Sequence, residues 1–86
     1  MEPGDYVRLP GGGWGRITSI QNTSNRARVV PMGRTFGNIP TNEPFGRAAA
    51  QAVFHPVQNL ELLPQEYQGQ ELASFKTMRE AQAEVA

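Results

Sequence analysis

The sequence has no cysteine, a single histidine (His55) and a single lysine (Lys76). Without cysteine there is neither a disulfide framework nor a thiolate metal site. One histidine among scattered carboxylates offers no zinc site either. No apolar run is long enough to cross a bilayer, and Met1-Glu2-Pro3-Gly4-Asp5 lacks the basic-then-apolar character of a signal peptide. The expectation is a soluble, cytoplasmic protein with no membrane association. Net charge is zero over 86 residues, so the strong basic excess of many nucleic-acid binders is missing as well. A chain of this length forms one small domain and buries only roughly 60–65% of its unfolded surface, so its stability margin is thin.

The charge that is present is unevenly placed. Residues 1–63 carry six bases against four carboxylates, and residues 64–86 carry two bases against four. Every base in the first part is arginine, the side chain that forms planar, bidentate contacts with phosphate or carboxylate and stacks on rings. Such a surface hints at recognition.

Strand signals dominate the first 63 residues. Residues 5–10 alternate, with Val7 and Leu9 on one face and Tyr6 and Arg8 on the other. Pro10 can end this strand, and Gly11-Gly12-Gly13 supply turn conformations. A phosphate-cradling role for these glycines lacks the following helix and the Lys-Ser/Thr pair of a P-loop. Trp14 to Gln21 reads as a second strand, in which Gly15 marks a bulge or a close backbone approach. Strict alternation would set Ile17 and Ile20 on opposite faces, and a bulge near Thr18-Ser19 would reconcile them. After the turn Asn22-Thr23-Ser24-Asn25, Arg26 to Pro31 forms a third strand with Ala27 and Val29 inward and Arg26 and Arg28 outward.

Residues 32–51 hold three glycines and two prolines without a sustained period, a long loop between strands 3 and 4. Ala52 to His55 is the fourth strand, Pro56-Val57-Gln58-Asn59 a single helical turn, and Leu60 to Leu63 the fifth strand. Residues 64–70 read as a linker. Glu71 to Val85 reads as a helix with Leu72, Phe75, Met78 or Arg79, Gln82 and Val85 on one stripe. The predicted fold is therefore mainly β: a five-stranded SH3-like barrel over residues 1–63 and a C-terminal α-helix over 71–86.

The opening Gly4-Asp5-Tyr6-Val7, Pro10 and Gly13-Trp14-Gly15-Arg16-Ile17 resemble KOW and Tudor-like modules, and most nearly the polymerase-interacting domain of CarD-type regulators. That resemblance covers about a third of the chain. It implies a contact with nucleic acid or with the transcription or translation machinery. CarD-type proteins continue into a helical DNA-binding domain, whereas this chain has room for one helix. The chain also resembles the plasmid-borne type B dihydrofolate reductases, SH3-like barrels that assemble as tetramers, through Gly4 to Arg8, Trp14, Pro56-Val57 and Leu60-Glu61. Their catalytic strand reads Val-Gln-Ile-Tyr before the proline. Here it reads Ala52-Val53-Phe54-His55, without the Gln and Tyr that hold substrate and cofactor, and kinship of fold does not carry activity across.

The candidate contact residues are Arg8, Trp14, Arg16, Arg26, Arg28, Arg34, Phe36 and Phe45. Arg8, Arg16, Arg26 and Arg28 lie on three successive strands with Tyr6 and Trp14 interleaved, the layout of a nucleic-acid groove or an acidic-partner patch; ordinary solvated strand charge has the same appearance. Trp14 is either a stacking platform or a core residue folded over the barrel end. Phe36, Ile39 and Phe45 either anchor a partner or cap the barrel. His55 has no nucleophile or acid placed to work with it. The expected function is a non-enzymatic binding module without cofactors, its partner a nucleic acid or a protein. The alternatives are a structural subunit or adaptor of a larger complex and, last, a reductase with its site shared across a homo-oligomer.

Overall fold

The computed structural model describes residues 1–44 and 52–85. Phe45 and the end of the long connection lie outside them. The chain folds as a mainly β protein. Strands β1 (Tyr6–Arg8), β2 (Trp14–Gln21), β3 (Arg26–Gly33), β6 (Val53–Pro56) and β7 (Glu61–Leu62) form one antiparallel sheet in the order β6-β3-β2-β1-β7. Within the long connection, β4 (Thr35–Phe36) and β5 (Ile39–Pro40) pair as a small separate hairpin, which the irregular sequence there did not disclose.

The alternation read from the sequence governs the inner face. Val7, Ile17, Ala27, Val29 and Leu60 form a buried cluster, with Leu9, Ile20 and Val57 packed against it. Ile17 and Ile20 both reach this cluster because the β2–β3 register shifts between Ile17 and Ser19. Thr18 is the extra residue, its hydroxyl donating to the Arg28 carbonyl at 3.3 Å. A second shift falls between Trp14 and Gly15. A Cβ on Gly15 would stand 2.6 Å from both a Val29 methyl and the Val30 carbonyl oxygen, so the bulge and the close approach expected at this glycine are both present.

Among the described residues the strand ladder does not close into a barrel: β6 and β7 are its two edges, and no ladder joins them. The sheet is nevertheless bent. In a flat sheet the edges would stand roughly 19 Å apart, four spacings of about 4.8 Å. The link between them is only the 3₁₀ turn Val57–Asn59 plus Leu60. Three residues rising about 2 Å each cannot bridge that width with the few extended residues beside them. The sheet therefore curls, and Leu60 is buried inside the curl with Val7 and Val29.

The outer face carries a second core. Tyr6, Trp14, Leu63 and Phe75 are buried together, with Met32, Tyr67 and Leu72 against them. Its cover comes from the C-terminal segment, which differs from the expected linker and helix. Gln65–Tyr67 and Leu72–Ser74 are single 3₁₀ turns, and the α-helix α1 spans only Met78–Val85. Phe75 is extended, not helical, and Lys76 forms a parallel bridge with Thr41. The helix starts late because Thr77 caps it. The Thr77 hydroxyl accepts the Glu80 N–H at 3.2 Å and donates to the Glu80 carboxylate at 3.2 Å. This Thr-x-x-Glu box fixes the first turn. Among the described residues no helix is long and apolar enough to cross a membrane.

Candidate binding face

The register places the outward side chains of the sheet on a lattice. Tyr6, Arg16 and Val30 stand in one row across β1, β2 and β3. Ser19, Arg28 and Phe54 form the next row across β2, β3 and β6, followed by Gln21, Arg26 and Pro56. On the other side of the Tyr6 row, Arg8 stands opposite Trp14. The four arginines thus share one face of the sheet, as the alternation predicts. They do not share one surface.

The division is made by the C-terminal segment, residues 63–77. Trp14 is 0% exposed. Its ring stands 4.4 Å from that of Phe75 and 5.1 Å, edge-on, from that of Tyr6. Its indole N–H donates to the Thr41 carbonyl at 2.7 Å. The stacking-platform reading of Trp14 is therefore corrected: the ring is core. Gly33 allows this packing, since a Cβ there would lie 2.3 Å from the Thr41 carbonyl oxygen and 3.0 Å from the indole nitrogen.

Polar contacts fasten the same cover. The Tyr6 N–H donates to Gln68 Oε1 at 2.8 Å, and Gln68 Nε2 donates to the carbonyls of Tyr6 (2.8 Å) and Leu63 (3.1 Å). One side-chain amide thereby answers three backbone groups. The Tyr6 hydroxyl donates to the Gln70 carbonyl. Asn42 donates its backbone N–H to the Lys76 carbonyl at 2.9 Å and its side-chain amide to the Phe75 carbonyl at 3.0 Å. Tyr67 stacks on Phe75 at 6.1 Å, and burial, then the charge and hydrogen bond of Glu66, hold its hydroxyl pKa above the usual tyrosine value.

Arg8 falls outside the main arginine group. Half-buried, it donates to the Gly37 carbonyl at 3.3 Å and stands opposite Glu61 in the β1–β7 ladder. It lines an open cleft of about 480 Å³ with Pro10, Thr35, Asn59 and Glu61, and a second of about 330 Å³ with Asn38, Glu61 and Pro64. Arg34 is exposed between β3 and β4, where its backbone binds Thr41 and Glu43. Phe36 is half-buried on β4. Neither joins the group of Arg16, Arg28 and Arg26 on β2 and β3.

Arg16, Arg26 and Arg28 are exposed, and strands β2, β3 and β6 contain no Asp or Glu. Among the described residues the one ion pair is Lys76–Glu84, remote in sequence from these arginines. Phe54, directly opposite Arg28 in register, is 40% exposed. It was not a candidate from the sequence. The signal that could have found it is the pairing of the fourth strand with the third, which sets Phe54 beside the outward arginines. Among the described residues no group of three His, Cys, Asp or Glu could hold a metal ion.

Comparisons with models of known protein families, with curated proteins and with solved structures yield no match. The class the structure defines is a small mainly β domain with a five-stranded antiparallel sheet and a C-terminal helix.

Proposed function

We propose that this chain is a non-enzymatic binding module of the SH3-like barrel kind, and that it contacts nucleic acid through the arginine-bearing outer face of β2, β3 and β6. The sheet order, its curl and the single 3₁₀ turn before the last strand support the barrel assignment. One observation carries the function: Arg16, Arg26 and Arg28 are exposed on one face of strands that hold no carboxylate. Three exposed arginines on one face of the sheet suit the phosphates of a nucleic-acid backbone, which they contact without sequence preference.

The test is fluorescence anisotropy of labelled single-stranded and duplex oligonucleotides over a salt series. Three phosphate contacts give a slope of log K against log salt of about −2 to −3. The double reversal Arg16→Glu/Arg28→Glu weakens binding and flattens that slope. Absence of any binding at low salt by the unmutated chain would overturn the reading.

A second reading, an adaptor within a larger complex, draws on β6, an edge strand among the described residues, where Val53 is 48% and Phe54 40% exposed. An open strand edge with apolar side chains is a template for another chain. Sedimentation of the purified protein separates the two, since an adaptor of this kind self-associates or binds protein through β6 without regard to salt.

A further inference from the structure

Trp14 and Tyr6, the aromatics interleaved with arginine in the sequence, are enclosed in the outer core. The bare part of the same face has an aromatic of its own. Phe54 stands directly across the β3–β6 ladder from Arg28, and cross-strand neighbours on one face have Cβ atoms about 5 Å apart. Arg26, two residues along β3, lies roughly 7 Å from Arg28, a separation comparable with one nucleotide step of an extended strand. Pro56 flanks Arg26 on β6 as Phe54 flanks Arg28.

We infer that the nucleic acid taken by this face is single-stranded, with one base stacked on Phe54 and the neighbouring phosphates on Arg28, Arg26 and Arg16. The inference rests on the nucleic-acid reading above and names the form of the ligand. A duplex keeps its bases stacked inside and would present only phosphate to this surface, leaving the Phe54 ring, 40% exposed, without a partner. A single strand offers both a π-face and a phosphate at each step. Charge complementarity selects such a ligand over an apolar peptide, since Arg28 faces Phe54 across the ladder, Arg26 and Arg16 are exposed on the same sheet face, and the strands that carry them lack carboxylates. Stacking on a side chain tolerates any base, so the face discriminates single strand from duplex more than one sequence from another.

The experiment compares a labelled single-stranded oligonucleotide of mixed sequence with its duplex, at one low salt concentration, on the unmutated chain, Phe54→Leu and Phe54→Trp. Leu keeps an apolar side chain on β6 but removes the ring. The unmutated chain is expected to bind the single strand at least about tenfold more tightly than the duplex, the measure of one stacked base. Phe54→Leu loses about tenfold on the single strand and little on the duplex. Phe54→Trp retains single-strand affinity and gives an emission that the oligonucleotide quenches, whereas the emission of the buried Trp14 in the unmutated chain is not quenched. Equal binding of single strand and duplex, or an unaltered Phe54→Leu, overturns this inference while dependence on Arg16 and Arg28 leaves the nucleic-acid reading standing. No binding of either oligonucleotide overturns both. A Phe54→Leu variant that loses self-association and not oligonucleotide affinity also overturns the inference, and assigns β6 to contacts between copies.

Discussion

The two halves of the sheet's outer face are built from the same materials and meet opposite fates. On β1 and the start of β2, Tyr6 and Trp14 are buried beneath Phe75, Tyr67 and Leu72. On β2 from Arg16 onward, β3 and β6, Arg16, Arg26, Arg28 and Phe54 are bare. Period-two alternation says which face of a strand a side chain leaves, and it says so correctly in both halves. It does not say whether the chain later returns to cover that face. Burial is decided by the return of residues 63–77, and that return ends beside Tyr6 and Trp14. One half became a second core, of which a small domain has need. The other remains available for a ligand.

The largest test of this contrast is Trp14→Ala. Removing an enclosed indole that also satisfies the Thr41 carbonyl should cost about 3–5 kcal/mol, a large share of the roughly 5–15 kcal/mol that holds a domain folded. Chemical denaturation measures it, and a cost below about 1 kcal/mol would mean that the covered half is not core. Gln68→Ala should cost less, about 1–3 kcal/mol, because it leaves the Tyr6 N–H and the Leu63 carbonyl in need of new partners, while the Tyr6 carbonyl keeps the Leu63 N–H. Amide hydrogen exchange should then rise at Tyr6 more than in β3. Smallest is the effect of Phe54→Leu on stability, within about 1 kcal/mol on an edge strand, although the same change is expected to impair single-strand binding. A large loss of stability there would erase the distinction between the halves.

Much of this arrangement was legible before the fold was known, and the reason is local. Val7, Ile17, Ala27 and Val29 follow strand alternation, the Thr18 bulge follows from the spacing of Ile17 and Ile20, and the helical turn before the last strand follows Pro56. The boundaries that failed depend on contacts distant in sequence. Trp14 is core because Phe75 returns to it and Thr41 accepts its N–H, and neither partner is adjacent in the chain. Leu72, Phe75 and Met78 recur at a spacing that predicts a helical stripe; the extended backbone at Phe75 instead serves the outer core and the hydrogen bonds to Asn42. Here a local signal was present and outweighed: Thr77 and Glu80 form a capping box that marks Met78, not Glu71, as the helical start. Of the candidate contacts, Arg16, Arg26 and Arg28 are gathered on one surface, Arg8 and Arg34 stand apart from them, and Phe54 emerges only from the β3–β6 register.

Trp14 is the only tryptophan, so its fluorescence reads the central claim without any substitution. Acrylamide quenching of the native chain, alone and with single-stranded oligonucleotide, compares its exposure directly with that of the denatured chain. The expected result is blue-shifted emission in the native chain, weak quenching by acrylamide, and no quenching by the oligonucleotide while anisotropy reports that it is bound. Emission at the position of a solvated indole, or quenching by the bound oligonucleotide itself, would contradict the division of the face into a covered core and a bare binding surface.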